Sequence, residues 1–196
     1  MSADRLEAVL AEARACRLCR DLPLGPRPVL RASATARLAI VSQAPGTKVH
    51  ASGLPFDDRS GDRLRDWLGI DRETFYDTRR LAIVPMGLCY PGVDPRGGDR
   101  PPRPECAPLW HPRLWPLLPQ VELTLLVGSY AQRFHLGNRV KRTLTDTVAA
   151  WRDYGPRWLP MPHPSWRNTG WLKRHPWFEA ELVPELQRRV RALVAS

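Results

Sequence analysis

The chain has 196 residues, 43% of them hydrophobic, and a formal net charge of +10 from 30 Lys and Arg against 20 Asp and Glu. That length suits one well-buried domain, so residues 1–196 are expected to form a single unit. No run of eighteen apolar residues occurs, which argues against a membrane-spanning helix, and the charge points to a polyanion such as DNA, because each neutralised phosphate releases counterions.

The opening Met1-Ser-Ala-Asp-Arg-Leu-Glu7 lacks the basic and apolar blocks of a secretory leader, and a cytoplasmic monomer is expected. Leu6, Val9, Leu10 and Ala13 recur at helical spacing and predict an amphipathic helix over residues 3–15. The pair Cys16 and Cys19 follows, then a proline-rich connector from Pro23 to Pro28. Leu38-Ala-Ile-Val-Ser42 is a short apolar run that reads as a buried strand, ended by Gln43, Pro45 and Gly46. A loop, Gly53-Leu-Pro-Phe-Asp-Asp-Arg-Ser-Gly61, brings Phe56, Asp57 and Asp58 just ahead of a helix that starts near Ser60 and stops at Gly69. A helical turn over 72–77 and a strand over 81–84 come next.

The long segment from Tyr90 to Glu105, rich in Pro and Gly, reads either as a functional loop or as a solvated connector. Residues 106–118 look helical, with Pro108, Pro112 and Pro116 set to break or shorten the helix. A third strand over 121–127, helices near 129–136 and 142–151, and a fourth strand over 158–161 follow. The last strand feeds Pro162-His-Pro-Ser-Trp-Arg-Asn168, and a helix over 176–194 closes the chain. Four strands alternating with helices predict an α/β fold, a three-layer α/β/α sandwich around a mainly parallel four-stranded sheet.

In such sheets ligands bind outside the carboxyl ends of the strands. Phe56, Gln43 and the two carboxylates would meet there as a flat ring, an amide and a negative charge, which is equipment for holding an extruded base. Each has a plainer reading: Phe56 as core, Asp58 or Ser60 as a helix N-cap, His163 as a brace of its own loop. Cys16, Cys19, Cys89 and Cys106 suit tetrahedral zinc, an iron-sulfur cluster or free buried thiols, and ligand chemistry alone does not separate these.

The two segments around Gln43 and Phe56, together with the His-Pro-Ser loop at His163, resemble the uracil-DNA glycosylase superfamily, closest to its iron-sulfur branch (families 4 and 5). The resemblance runs from Cys16 to about Phe178. It implies a monofunctional DNA glycosylase of base excision repair, with a 4Fe-4S cluster rather than zinc on Cys16, Cys19, Cys89 and Cys106. His163 would stabilise the departing base, Phe56 would stack on it, and Asp58, with Asp57 as its rival, would orient water or stabilise the sugar cation. Gln43 stands where the family has glutamate, so it can position water but cannot take a proton. Pro85 stands where a base-reading asparagine is usual, which passes base recognition to Asn168 or backbone groups. Trp166 and Arg167 occupy the duplex-probing loop, and Lys173 and Arg174 would touch phosphates. The same substitutions at Gln43 and Pro85 leave open a non-catalytic protein that binds DNA or damaged bases on this fold.

Overall fold

The computed structural model describes residues 2–195. Four strands, β1 (Leu38–Val41), β2 (Leu81–Ile83), β3 (Leu123–Val127) and β4 (Trp158–Met161), form one sheet in the order β2-β1-β3-β4. Every pairing is parallel, with Ile40 opposite Ile83 and Leu125, and Leu125 opposite Leu159. Helices α1 (Ser2–Ala15), α2 (Thr47–Ser52), α3 (Arg59–Leu68), α4 (Arg72–Tyr76), α5 (Cys106–Leu114), α6 (Ser129–Leu136), α7 (Leu144–Ala149), α8 (Thr169–Arg174) and α9 (Val183–Val194) connect and cover the strands.

Successive strand residues face opposite sides of a sheet, and both sides here are apolar. Leu38, Ile40, Leu81, Ile83 and Leu125 join Leu64 and Leu68 of α3, Leu186 and Val190 of α9, and the rings of Phe75 and Phe178 in one core. On the other side Ala39, Ala82 and Val84 pack with Leu6, Leu10 and Ala13 of α1 and Trp110 and Leu114 of α5. Val41 and Leu126 continue that side against Ala131 and Leu136 of α6. The result is the expected three-layer α/β/α sandwich. Burial on both faces explains why the strands read as unbroken hydrophobic runs. Among the described residues no helix is long and apolar enough to cross a membrane.

The elements depart from the sequence reading at short, proline-marked segments. The closing helix runs from residue 177 to 194 much as expected, but its first part is wound wider: a π-helical turn spans Phe178–Leu182 and regular α9 starts at Val183. Pro184 has no N–H for an α-helical bond to the turn before it, so the wider turn takes up the change of register. Helix α2 lies inside what reads as one loop, bounded by Gly46 and by Gly53. In α5 the proline at 112 is tolerated and the helix tightens into a 3-10 turn at Trp115–Leu117. Gly69 caps α3 as expected.

The segment after β2 is neither a helix nor a free loop. Val93 bridges Asp99 in antiparallel fashion, the Asp94 N–H donates to Gly98 O at 2.7 Å, and the Arg100 N–H donates to Gly92 O at 2.8 Å. Residues 92–100 thus form a small hairpin.

Candidate active site and cysteine pocket

A cavity of about 340 Å³ opens at the carboxyl ends of β1, β2 and β4. Gln43 beyond β1, Pro85 beyond β2, His163 beyond β4, Phe56 and Asp58 ahead of α3, and Asp99 from the hairpin all line it. Its volume falls at the lower end of the range for small-molecule sites.

Two adjacent acids take opposite roles. Asp58 is the N-cap of α3, its Oδ1 accepting the Gly61 N–H at 2.9 Å, and it also lines the cavity. One residue thus both caps α3 and borders the cavity. Asp57 does not line the cavity; Arg72 donates to its Oδ1 at 2.9 Å and holds its carboxyl below the usual range. Between them the chain makes a tight approach: a Cβ on Gly61 would lie 1.8 Å from Phe56 O. Phe56 has φ of 56° and is buried, its ring edge-on to Phe75 at 6.1 Å while it also contributes to the cavity wall. The Tyr76 hydroxyl donates to Pro55 O at 2.8 Å and braces the turn.

His163 sits on the loop after β4. The Ser165 N–H donates to its Nδ1 at 3.2 Å, which leaves the ring's proton on Nε2 when the imidazole is neutral. Burial pushes its pKa below the ordinary histidine value, opposed in part by the charge of Asp58. Asn168 donates through Nδ2 to His163 O at 2.7 Å, so its amino group braces the loop even though the residue also lines the cavity. Arg63 ties α3 to the same loop, donating to Ser165 O at 3.1 Å and to the Thr169 hydroxyl at 3.2 Å.

Beyond His163 the surface turns basic and aromatic. Trp166 is 69% exposed, and the Arg167 guanidinium lies 5.3 Å from its ring centroid. Trp171 and Trp177, by contrast, pack against the core, and the Trp171 indole donates to the Thr145 hydroxyl at 2.8 Å. Lys173 and Arg174 are exposed at the end of α8. Gln43 donates through Nε2 to Arg100 O at 3.4 Å, which links the β1 loop to the hairpin. At Gly98, with φ of 97°, an added Cβ would come within 3.4 Å of the Arg167 guanidinium, so the hairpin and the His163 loop meet over the cavity.

A family model described as the uracil DNA glycosylase superfamily matches residues 31–187. The chain belongs to that superfamily. Members of the uracil DNA glycosylase superfamily are in general hydrolases that act on DNA in base excision repair, and the matched span contains every cavity-lining residue named above.

Outside that cavity, this uracil DNA glycosylase superfamily member carries a second pocket lined by Cys16, Cys19, Cys89 and Cys106 together. The Leu88 N–H donates to Cys106 Sγ at 3.3 Å, and the Cys19 thiol lies 3.8 Å from Glu105 Oε1. Burial raises the thiol pKa of Cys89 to about 11 and of Cys106 to about 12. Among the described residues no three His, Cys, Asp or Glu side chains converge tightly enough for one metal ion. Four thiols around one void, one of them accepting a backbone N–H, are a donor set whose chemistry suits a thiolate-ligated metal or cluster.

Three site features were not singled out from the sequence. Ser165 acts through its backbone, which carries no residue signature. Arg63 reads as an ordinary exposed helix charge. Asp99 was hidden in a Gly- and Pro-rich stretch whose hairpin rests on backbone bonds. A further brace lies behind Pro85: the Trp115 indole donates to His111 Nδ1 at 3.2 Å, so the His111 Nε2–H donates to Pro85 O at 3.1 Å. His135 Nε2 lies 3.1 Å from that same Nδ1 and so carries its own proton there.

Proposed function

We propose that this chain is a monofunctional DNA glycosylase that hydrolyses the N-glycosidic bond of a flipped uracil or another deaminated or damaged base, working as a monomer in the cytoplasm. The observation that carries this reading is the placement of His163. It lines the cavity with Nδ1 accepting the Ser165 N–H, so the neutral ring carries its proton on Nε2, and burial favours that neutral form. A neutral imidazole of that tautomer donates to a base oxygen as negative charge develops there.

The remaining roles follow from position. Phe56 offers its ring to the base, and Asp58, fixed by its cap bond, places a negative charge beside the sugar as it becomes cationic. Gln43 orients water by hydrogen bonding. With Pro85 lacking a donor, Gln43, Asn168 and nearby backbone groups read the base edge. Trp166 and Arg167 enter or flank the duplex, and Lys173 and Arg174 meet phosphates.

Cys16, Cys19, Cys89 and Cys106 would hold a 4Fe-4S cluster that staples α1, the loop after β2 and the start of α5. Its contribution is to stability, since the cysteines line a pocket of their own. Oligonucleotides each carrying one modified base, screened for abasic-site formation, test the activity. Excision of at least one such base is expected; tight binding with no excision of any would replace this reading by a non-catalytic DNA- or damaged-base-binding role.

A further inference from the structure

We propose that Asp99, carried over the cavity by the 92–100 hairpin, is the general base that takes a proton from the attacking water, leaving Asp58 as a fixed charge. The proposal rests on the glycosylase reading above and assigns within it a step that the motif residues do not supply.

The first ground is what each polar group at the cavity is free to do. Asp58 spends Oδ1 on the Gly61 N–H. Gln43 cannot accept a proton at neutral pH, and its amide nitrogen is directed to Arg100 O. His163 Nδ1 is occupied by the Ser165 N–H, and its Nε2 already bears the proton. Asp99 lines the cavity and, among the described residues, its carboxylate makes no side-chain hydrogen bond or ion pair within bonding distance. Both of its oxygens are available to water.

The second ground is how the hairpin is anchored. The Val93 to Asp99 bridge and the Arg100 N–H to Gly92 O bond fix the backbone on either side of the acid. The Gln43 to Arg100 bond fastens its base to the β1 loop. Asp99 Oδ2 lies 3.6 Å from the point where a Cβ on Gly46 would stand, which places the carboxylate against the turn after β1. Partial burial raises its proton affinity, Arg167 draws it back down, and the charge of Asp58 pushes it up again. A base near a cationic side chain at the cavity mouth can return its proton to solvent after each turnover.

The balance of the step is complete. The bond from the anomeric carbon to the base nitrogen breaks, and its electron pair leaves with the base, held through the His163 Nε2–H. Water forms the new carbon–oxygen bond and gives one proton to the Asp99 carboxylate. That proton passes to solvent, and the released base takes up one proton. No oxidant, reductant or further reactant is required.

The test is single-turnover excision, on a base the parent protein removes, by Asp99→Asn and Asp99→Ala, with affinity measured for a duplex carrying an uncleavable analogue. Loss of a general base costs roughly 100-fold to 10,000-fold in rate, and binding should stay close to that of the parent, since the lost interaction is made only in the transition state. Sodium formate should restore part of the rate to Asp99→Ala, and sodium chloride at equal ionic strength should not. A structural role for the hairpin would not produce formate rescue. Parental excision by Asp99→Asn overturns the assignment while leaving the glycosylase reading intact. A parent protein that binds DNA and excises no base overturns both.

Discussion

Asp57 and Asp58 are neighbours in the chain and face different partners, one fixed to Arg72 on α4 and the other to the Gly61 N–H at the head of α3. Asp58→Asn keeps an oxygen for the cap and removes the charge. It should fold normally and lose excision by roughly 100-fold to 1000-fold, the range for removing one preorganised charge-stabilising group. Asp58→Ala should show the same loss together with about 1 kcal/mol of destabilisation from the missing cap. Asp57→Ala should excise at close to the parental rate. Single-turnover kinetics and denaturant melts on the three variants check this, and activity lost only in Asp57→Ala would move the acid role by one residue.

His163→Ala should lose excision by a similar factor of roughly 100 to 1000 while still binding DNA, and Gln43→Ala should lose less. Because burial lowers the pKa of His163, its ring should remain neutral at pH 6.5, where a free histidine is half protonated. Nitrogen-15 shifts of the imidazole should report a protonated Nε2 and a bare Nδ1. A doubly protonated ring at that pH would remove the neutral-donor mechanism.

DNA affinity should be strongly salt-dependent. Arg167→Ala should weaken binding to duplexes of any sequence and reduce the log–log salt slope by about one unit. Equilibrium titrations across a salt series measure both, and an unchanged slope would take Arg167 out of the interface.

Protein purified without oxygen should contain about four irons per chain, and Cys16→Ser should reduce soluble yield more than the excision rate of what folds. Stoichiometric zinc without iron would overturn the cluster assignment.

Stability should fall on mild acidification before the carboxylates titrate. Burial lowers the pKa of His111 to about 4 and of His135 to about 3. Between the unfolded value of about 6.5 and those folded values, the unfolded chain binds protons that the folded chain refuses. Each histidine should therefore steepen the loss by up to about 1.4 kcal/mol per pH unit as pH drops through this window. Melts from pH 7 to pH 4 check it, and a double variant replacing both rings with apolar residues should flatten the curve.

The sheet and its order of motifs were legible because parallel strands buried on both faces leave unmistakable apolar runs, as at Leu38–Val41 and Leu123–Val127. The His163 loop and the loop holding Phe56 and Asp58 were legible because proline and glycine mark strand-end turns. Which of Asp57 and Asp58 borders the cavity was not, since it depends on a partner fifteen positions away, Arg72. Nor was Asp99, whose placement comes from a backbone hairpin rather than from side-chain periodicity. The π turn ahead of Pro184 was not legible, because helical spacing does not show a local widening of the winding.

Phe56 is the one described non-glycine residue with positive φ, and this separates two quantities that usually move together. A side chain in the left-handed region costs about 1 kcal/mol or more, while the ring recovers stability by packing on Phe75. Glycine at this position would relieve the backbone while forfeiting the ring, so Phe56→Gly should damage stability less than an ordinary core truncation. The backbone and the ring of this one residue thus pull folding stability in opposite directions.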